Sequence, residues 1–485
     1  MGVDPLIARE QTFPDPPKYT HCVAPIEIKC QAALRWGHDA VQLAVYAREC
    51  FVQQPNRDLV YASLLTEEQM QLHQFDRGGD LHSSFFNIHE DPVTFVKMIL
   101  ALSTEDLEKL GFDTRIYWDG SRRYFRTISE DSREVKIYTI SEPDHPFRRH
   151  TICGRGTTCW VIQNETGEKV VLKLAWRTFE RLPEWHFLEK ICEENRRRAL
   201  EEPERGPIPG VGTILAHWEG KRLSELRFGV ALKTPDEQTV SDRRFYYTLQ
   251  PYLGAALEKA ASTLQSLRAL YDIIQGQREL YDLKILHRDI STRNMLCNPD
   301  PEAQAGQRGF LIDFDMAKKL DSPSNTAGAD ERTGTRAFQS IKVLEGLGVH
   351  DYLDDLESTF WAYTWIVCTS DGPGVARLGV PVDLINWGSQ DLAVAILAKR
   401  NFLARPLVDL IHPAMGRHVR VLILWFAGFF QDTALARIRR LEQERYQGML
   451  EKDADVQRAA VFLRQDGLGN DASGEASSTC VFMSR

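Results

Sequence analysis

The sequence predicts a mixed α+β protein whose first part is rich in strands and whose second part is rich in helices. Short apolar runs bounded by turn residues predict a series of strands up to about residue 252. Apolar positions at helical spacing then predict a long amphipathic helix over residues 257–283. Between that helix and a later buried helix, the runs 295–297 and 310–312 flank a turn of Asn, Pro and Asp and predict a hairpin.

Composition and charge indicate a globular chain. Its 485 residues are enough for two or three hydrophobic cores, and 43% apolar with 26% charged residues is not a disordered composition. The net charge of −9 argues against a general nucleic-acid or membrane-surface binder, so we expect neither partner. Nine cysteines without a C-x-x-C pair argue against a disulfide framework and against a zinc site.

The ends and apolar runs of the sequence favour an intracellular protein. The first residues lack a basic region followed by an apolar core, so we expect no signal peptide. The longest apolar run, residues 421–430, is too short to span a bilayer. We therefore expect a soluble protein of the cytoplasm or nucleus, and the sequence leaves its oligomeric state open.

The first 145 residues contain elements but no catalytic spacing, so we expect a folded α/β extension there. Prolines predict an irregular arm up to about residue 20. The remaining patterns predict helices over 26–54 and 91–102, a further helix that begins with the capping pattern 103–106, and three strands, over 58–65, 69–75 and 134–140.

A glycine-bearing turn follows this extension. Gly154 and Gly156 lie before a strand through Val161, and a further strand ends at Lys173. Glycines let a backbone approach a polyphosphate and direct N–H groups at it. A G-x-G alone is more simply a structural turn, but a lysine twelve residues past Val161 matches the nucleotide loop and phosphate-binding lysine of protein kinases. Cys159 stands where that loop normally has its third glycine.

Lys173 needs an acidic partner, and the helix predicted to begin near Pro183 supplies Glu184 at the expected spacing. Glu180 and Glu189 are the alternatives. Further on, the strand 245–249 runs into a Pro/Gly connection typical of a hinge between two lobes. By position alone, Leu249 to Tyr252 would bring backbone groups near an adenine.

The predicted hairpin carries the most specific signal in the chain. His287, Arg288 and Asp289 precede its first strand, with Asn294 five residues after Asp289, and Asp313 follows its second strand. Protein kinases use this H-R-D-x-x-x-x-N loop and a following Asp as catalytic base and Mg²⁺ ligands. A carboxylate can accept the proton of an attacking hydroxyl, and carboxylate and amide oxygens suit Mg²⁺. A hairpin with ordinary turn acids does not explain the combined spacing.

Residues from about 55 to 370 resemble the fungal-type protein kinase family, a divergent branch of the eukaryotic protein-kinase fold. The resemblance lies in HRDISTRN, GFLIDFDMA, RTGTRAF and DDLESTFW, with the upstream segments FDRGG, SSFF and EKLGFD. It implies a two-lobed fold with a small, mostly β lobe over 146–253 and a larger, mostly α lobe over 254–465. Composition predicts a disordered tail over 466–485.

The resemblance also implies an activity and its residues. It implies transfer of the ATP γ-phosphate to serine or threonine hydroxyls of a protein substrate, with Mg²⁺. Residue by residue, it places Lys173 on the phosphates, Glu184 on Lys173, Asp289 as the base, and Asn294 and Asp313 on the metal. Asp355, at the start of a buried helix, fits the kinase residue that hydrogen-bonds the catalytic-loop backbone.

Three positions depart from ordinary kinases. Ser291 replaces a lysine beside the transferring phosphoryl group, which predicts slower turnover unless another cation, such as Arg293, takes its place. Asp315 replaces the glycine of the D-F-G motif, which removes conformational freedom. Lys342 stands where the glutamate of A-P-E would form a brace with an arginine, and Glu345 is an alternative for that contact.

Three functions remain open from the sequence. An active protein Ser/Thr kinase is favoured by Lys173, Asp289, Asn294 and Asp313. A pseudokinase scaffold that binds nucleotide and partners without efficient turnover is supported by the altered accessory positions. A small-molecule phosphotransferase is disfavoured by Arg288 and by the T-G-T segment.

Overall fold

The computed structural model describes residues 19–120, 122–128, 135–140, 147–148, 151–179, 181–230, 241–320 and 334–452. The tail predicted over 466–485 lies outside these residues. The chain forms two compact units, the first of residues 1–287 with 293–322 and the second of residues 288–292 with 323–485. Both helices and strands are present, so the mixed α+β class is confirmed. The predicted lobe boundaries stay a prediction.

The first unit holds most of the strands. They are β1 (Ile26–Ile28), β2 (Leu59–Leu65), β3 (Gln69–Asp76), β4 (Gly79–His82), β5 (Phe86–Asn87), β6 (Ile116–Asp119), β7 (Arg122–Ile128), β8 (Val135–Ile140), β9 (Phe147–Arg148), β10 (Thr158–Gln163), β11 (Lys169–Thr178), β12 (Ala216–Arg222), β13 (Arg243–Pro251), β14 (Ala255–Ala256), β15 (Ile285–Leu286), β16 (Met295–Cys297), β17 (Gly309–Leu311) and β18 (Lys318–Lys319). Its helices are α1 (Trp36–Gln53), α2 (Pro92–Leu102), α3 (Glu184–Glu201), α4 (Leu223–Leu226) and α5 (Thr263–Asp282).

The second unit is mainly helical. Its elements are α6 (Ile341–Glu345), α7 (Tyr352–Cys368), β19 (Ser370–Gly372), β20 (Val375–Ala376), α8 (Val382–Ile385), α9 (Leu392–Ala404) and α10 (Arg417–Lys452). Its core is aromatic: Trp361 packs edge-on to Trp387, with ring centroids 4.7 Å apart, and Phe360 lies 5.3 Å from Phe430 of α10. Aromatic side chains contribute large apolar areas to such cores.

A five-stranded sheet occupies the start of the first unit, in the order β1-β2-β3-β4 with β5 also paired to β3. Residues 26–28 were predicted as the start of a helix, but they form β1, which pairs in parallel with β2. The helix begins only at Trp36. Leu43, Ala47 and Phe51 of α1 share one buried cluster with Val60 of β2.

An eight-stranded sheet forms the larger layer of this unit, in the order β12-β13-β11-β10-β8-β7-β6, with β9 paired to β10. Ile162 of β10 is in register with Ile140 of β8. The boundary predicted at residue 145 therefore falls within one sheet. Its buried face includes Phe125, Trp160 and Trp176, and each such burial stabilises the fold by roughly 1.5–3 kcal/mol.

The β16–β17 hairpin lies close against α5. A Cβ on Gly309 of β17 would overlap the backbone of Ala269 of α5. Glycine at this position permits the close approach. It brings the hairpin, and the residues at its ends, against a long rigid helix.

Helix α10 contains the longest apolar run of the sequence, residues 421–430, and continues well beyond it. Residues 417–452 form one helix. Val419, Ile423, Ala427 and Phe430 recur at helical spacing and are buried. In the part of the chain that the structure describes, Arg417–Glu444 is one segment long and apolar enough to cross a membrane by length and composition, a criterion that core helices of soluble proteins also meet.

Candidate active site

The β16–β17 hairpin is confirmed, with Met295 opposite Leu311. Asn294 precedes its first strand and is buried, and Asp313 lies two residues after its second. The Ile312 N–H donates to the carbonyl oxygen of Asn294 at 3.0 Å, which holds the two chain segments together. Asp313 has a φ of 67°, in the left-handed region.

Lys173 lies in the centre of the eight-stranded sheet, on β11, in register with Cys159 of β10 and Thr248 of β13. Its Nζ lies 2.7 Å from Oε2 of Glu184 and 2.7 Å from Oδ1 of Asp313. The structure thus brings three of the predicted site residues together around one ammonium group.

Glu184 is the first residue of α3 and is almost completely buried. Its second oxygen, Oε1, accepts the backbone N–H of Phe314 at 2.9 Å. Glu184 therefore bridges Lys173 and the segment that follows Asp313. A carboxylate in the first turn of a helix also interacts favourably with the helix dipole.

Asp315 is a fourth member of this cluster. Its Oδ2 lies 3.4 Å from Lys173 Nζ and 3.1 Å from Arg155 Nη1. Arg177 donates to Oδ1 of Asp315 and, at 3.0 Å, to its backbone carbonyl oxygen. Three cations thus face the carboxylates of Glu184, Asp313 and Asp315, so the buried charges balance.

The pKa shifts follow from this arrangement. Burial alone would lower the pKa of Lys173, but the carboxylates of Asp313, Asp315 and Glu184 outweigh it and raise the pKa well above the ordinary value. Burial would raise the pKa of Asp315, but Lys173, Arg177 and Arg155 hold it well below its usual range. Both groups are therefore charged at neutral pH.

The space beside the glycine-bearing turn is partly filled by another side chain. Gly154 and Gly156 have φ values of 113° and 53°, which favour glycine. A Cβ on Gly156 would lie 2.5 Å from the Nε of Arg77, so this guanidinium occupies the space beside the turn. Burial raises the pKa of Cys159, which stands in place of the third glycine, to about 12, so it remains a thiol.

The remaining residues predicted to contact the nucleotide, Val161 of the strand after the glycine-bearing turn and Leu249 to Tyr252 near an adenine, lie on or beside the same sheet. Val161 pairs with Val171, and Leu249 is buried in the core of the sheet opposite Leu172. The carbonyl oxygen of Leu249 accepts the N–H of Leu215 at 2.8 Å. Tyr252 is 37% exposed. Nucleotide contacts by these residues stay a prediction.

The H-R-D residues Arg288 and Asp289 belong to the second unit. The Arg288 N–H donates to Oδ1 of Asp355 at 2.9 Å, so the bond expected of Asp355 is confirmed. Oδ1 of Asp289 accepts the Thr335 N–H at 3.1 Å. A Cβ on Gly334 would lie 2.8 Å from the carbonyl oxygen of Arg288, so glycine permits this close approach.

Comparison of the sequence with models of protein families identifies the family of this chain. The model of the fungal protein kinase family matches residues 4–202 and 196–367, well over half of the chain. The chain belongs to the fungal protein kinase family.

The chain is also similar to mitogen-activated protein kinases and to one solved kinase structure. The fungal protein kinase chain is 26% identical over 172 residues to mitogen-activated protein kinase 12 of Rattus norvegicus, covering 34% of this chain and 39% of that protein. It is 22% identical over 231 residues to mitogen-activated protein kinase spm1 of Cytospora mali, covering 46% of each. The chain thus spans less than half the length of these relatives. A solved structure of vaccinia related kinase 3 matches with a TM-score of 0.37 and 13% identity, covering 58% of this chain and 76% of that one.

One acidic residue of this fungal protein kinase, Asp313, fits a hard divalent cation. Carboxylate oxygens of Glu184, Asp313 and Asp315 lie within 4.8 Å of one another. The Asp313 side chain is 30% exposed, whereas those of Glu184 and Asp315 are almost fully buried. Asp313 is therefore the carboxylate that can reach a solvated ion, and oxygen donors of this kind are what Mg²⁺ prefers.

Sequence reasoning missed the arginine contacts of Asp315. The sequence identified Asp315 only as a missing glycine, and no motif marked Arg155 or Arg177 as its partner. Arg177 lies four residues past Lys173 on the same strand, so alternation along β11 places both side chains on one face. That alternation is the signal by which Arg177 could have been found.

Proposed function

We propose that this fungal protein kinase transfers the γ-phosphate of ATP to serine or threonine hydroxyls of a protein substrate, with Mg²⁺. The observation that carries the proposal is Lys173 Nζ held 2.7 Å from both Glu184 and Asp313. The pair with Glu184 supports the proposal, because kinases hold the phosphate-binding lysine through a glutamate of the following helix.

In the proposed reaction, Lys173 binds the α- and β-phosphates and Glu184 keeps its ammonium group in place. Asn294 and Asp313 hold Mg²⁺, which supplies positive charge to the phosphates. Asp289 orients the attacking hydroxyl and accepts its proton. The hydrogen bond from Thr335 to Asp289 Oδ1 supports this role, because it orients the carboxylate. Arg288 contributes to the catalytic loop through its backbone bond to Asp355.

A second candidate is a pseudokinase scaffold. The observation that favours it is Asp315, whose carboxylate is 3.4 Å from Lys173 and also binds Arg155 of the glycine-bearing turn. These contacts compete with phosphate for the same two cations. Gly154 and Gly156 would then serve as structural turn residues rather than as a phosphate cradle. A small-molecule phosphotransferase gains no such support.

Partners and location follow from the proposed activity. We expect a protein substrate, no nucleic-acid partner, and a soluble intracellular protein. The alternation of buried and exposed positions along α10 supports a core helix rather than a membrane span.

Radiolabelled phosphate transfer from ATP with Mg²⁺ tests the proposal. Purified protein and generic acidic and basic protein substrates are compared with Lys173→Met and Asp289→Ala, and nucleotide binding is followed separately by thermal shift. Removing a general base typically reduces turnover by about 10²–10⁴-fold, so we expect Asp289→Ala to lose that much while still binding nucleotide. Lys173→Met loses both binding and transfer.

The matched controls are Lys259→Met and Asp383→Ala, which remove exposed side chains of the same types. Both should transfer phosphate like the wild type. Binding of Mg²⁺-ATP without transfer in the wild type supports the scaffold instead. Absence of nucleotide binding in folded wild-type protein contradicts both the active kinase and the nucleotide-binding scaffold.

A further inference from the structure

A second cluster of metal-ligating side chains lies on the β3–β4 hairpin of the first unit. His73 of β3 is directly opposite His82 of β4, and Asp80 is two residues before His82. Because side chains alternate along a strand and opposite residues share a face, all three project from the same side of the hairpin. One ligand atom from each lies within 4.8 Å of the other two.

Donor atoms converge closely within this cluster. Nδ1 of His73 lies 3.0 Å from Oδ2 of Asp80, and Nδ1 of His82 lies 3.5 Å from the same oxygen. Tetrahedral zinc with bonds of about 2.0–2.1 Å places neighbouring ligand atoms about 3.3 Å apart. The observed separations bracket that value.

Gln71 determines which nitrogen of His73 faces the cluster. The Gln71 side-chain amide donates to the carbonyl oxygen of Ser83 at 2.8 Å, which identifies its Oε1 as the atom 3.1 Å from Nε2 of His73. Nε2 therefore carries the proton donated to Gln71. The lone pair of Nδ1 in the neutral ring points at the Asp80 carboxylate, and two electron-rich atoms at 3.0 Å require a cation or a proton between them.

We propose that His73, Asp80 and His82 bind one zinc ion, with Gln71 as the outer partner that orients His73. Two imidazoles and one carboxylate are a typical zinc ligand set, and solvent can supply the fourth ligand. The outer hydrogen bond from a ligating histidine to an oxygen is characteristic of such sites. This ligand set contains no cysteine, so the absence of a C-x-x-C motif does not bear on it.

The exposed fractions of the three side chains indicate a site that solvent can reach on one side and that is buried on the other. The His73 side chain is fully buried, Asp80 is 29% exposed and His82 is 39% exposed. The indole of Trp36 packs edge-on to His82, with ring centroids 5.8 Å apart. An ion can thus enter from the His82 side, and once bound it ties β3 to β4 near the start of α1. The site would stabilise the first unit and takes no part in phosphate transfer.

Zinc retention by the full-length chain tests the proposal. Protein stripped with chelator is incubated with Zn²⁺ in excess Mg²⁺ and without nucleotide, desalted, and analysed for bound zinc. The excess Mg²⁺ competes for oxygen-only sites such as that of Asp313. We expect one zinc per chain, and an upward thermal shift with Zn²⁺.

His82→Gln and Asp80→Asn are the test variants, because both side chains are partly exposed and their replacement should leave the fold intact. Each should lose stable zinc retention and the zinc-dependent thermal shift. Gln71→Met should weaken zinc affinity by about 10–100-fold, as the loss of an outer partner typically does. His418→Gln, which removes an exposed histidine from α10, is the matched control and should retain zinc like the wild type.

Two results would overturn the proposal. Wild-type protein that retains no zinc would show that a proton shared by His73 and Asp80 satisfies the contact. Equal zinc retention by the wild type, His82→Gln and Asp80→Asn would show an adventitious ion only.

Discussion

Asp315 lies 3.4 Å from the ammonium group of Lys173, within the cluster that also holds Glu184 and Asp313. It occupies the position where ordinary kinases have a glycine, and its side chain is only 3% exposed. A buried carboxylate at this position needs cationic partners, and Lys173, Arg155 and Arg177 supply them. The negative charge that Asp315 introduces in place of glycine is therefore neutralised by cationic side chains of the first unit.

Replacing Asp315 with asparagine should destabilise the protein. The change removes the negative charge that pairs with the buried guanidinium of Arg177, and breaking a buried ion pair costs about 3–5 kcal/mol. The free energy of unfolding, measured in urea, should fall by that order. Asp383→Asn, at an exposed site, should leave it unchanged. Equal stability of Asp315→Asn and the wild type would contradict a structural role for the pair.

Lys342 should likewise be required for stability. It is buried, with Nζ 2.6 Å from Oδ2 of Asp354 and 2.6 Å from the carbonyl oxygen of Val349. Lys342→Met should lower the free energy of unfolding by about 3–5 kcal/mol, because Asp354 is left buried without its cation. Thermal and urea unfolding measure the effect, with Lys97→Met as the exposed control.

Introducing glutamate, the usual kinase residue at this position, should destabilise the protein further. Lys342→Glu would place a carboxylate beside Asp354, and we expect a larger loss of stability than in Lys342→Met. A Lys342→Glu protein as stable as the wild type would indicate that the buried pair can be rearranged at little cost. Glu345, the alternative for the brace with an arginine, does pair with an arginine, Arg400 of α9.

Gly309 and Gly428 should respond oppositely to alanine. Because a Cβ on Gly309 would overlap the backbone of Ala269, Gly309→Ala should destabilise the first unit by about 1–3 kcal/mol. Gly428 lies in α10 with no atom within 4 Å of its would-be Cβ, so Gly428→Ala should stabilise by up to about 1 kcal/mol. Urea unfolding compares both with the wild type. The same sign for both changes would contradict the close packing of β17 on α5.

Asp58 should make stability depend on pH. Burial and then the nearby Asp113 carboxylate raise its pKa to about 7, against the opposing charges of Lys221 and Arg77. A carboxyl whose pKa is raised in the folded state stabilises that state below its unfolded pKa of about 4. This contribution is lost as pH rises to about 7, and it amounts to about 2–4 kcal/mol.

Asp58→Asn tests that pH dependence. Asparagine does not titrate, so the variant should lose less stability than the wild type between pH 4 and pH 7. Urea unfolding at several pH values measures the difference, and Asp383→Asn serves as the exposed control. Parallel pH profiles for Asp58→Asn and the wild type would contradict the raised pKa.

Local sequence predicted local elements well. The β16–β17 hairpin, the long helix α5, and strands β2 and β3 depend on periodicity within a few residues, so short windows were sufficient. Residues 26–28 were mispredicted as helix because β1 is defined by parallel pairing with residues more than thirty positions away. Such pairing leaves little trace in the strand itself.

The sequence by itself determined the family motifs and the types of residue at the candidate site, because catalytic spacing within the H-R-D loop and after the hairpin is local. Only the tertiary structure decided which charges meet. Arg155 and Asp315 are 160 positions apart, and the separation between Lys173 and Asp313 is 140. Ion pairs act through space rather than along the chain, so their partners emerge only when sheet register and helix packing bring the side chains together.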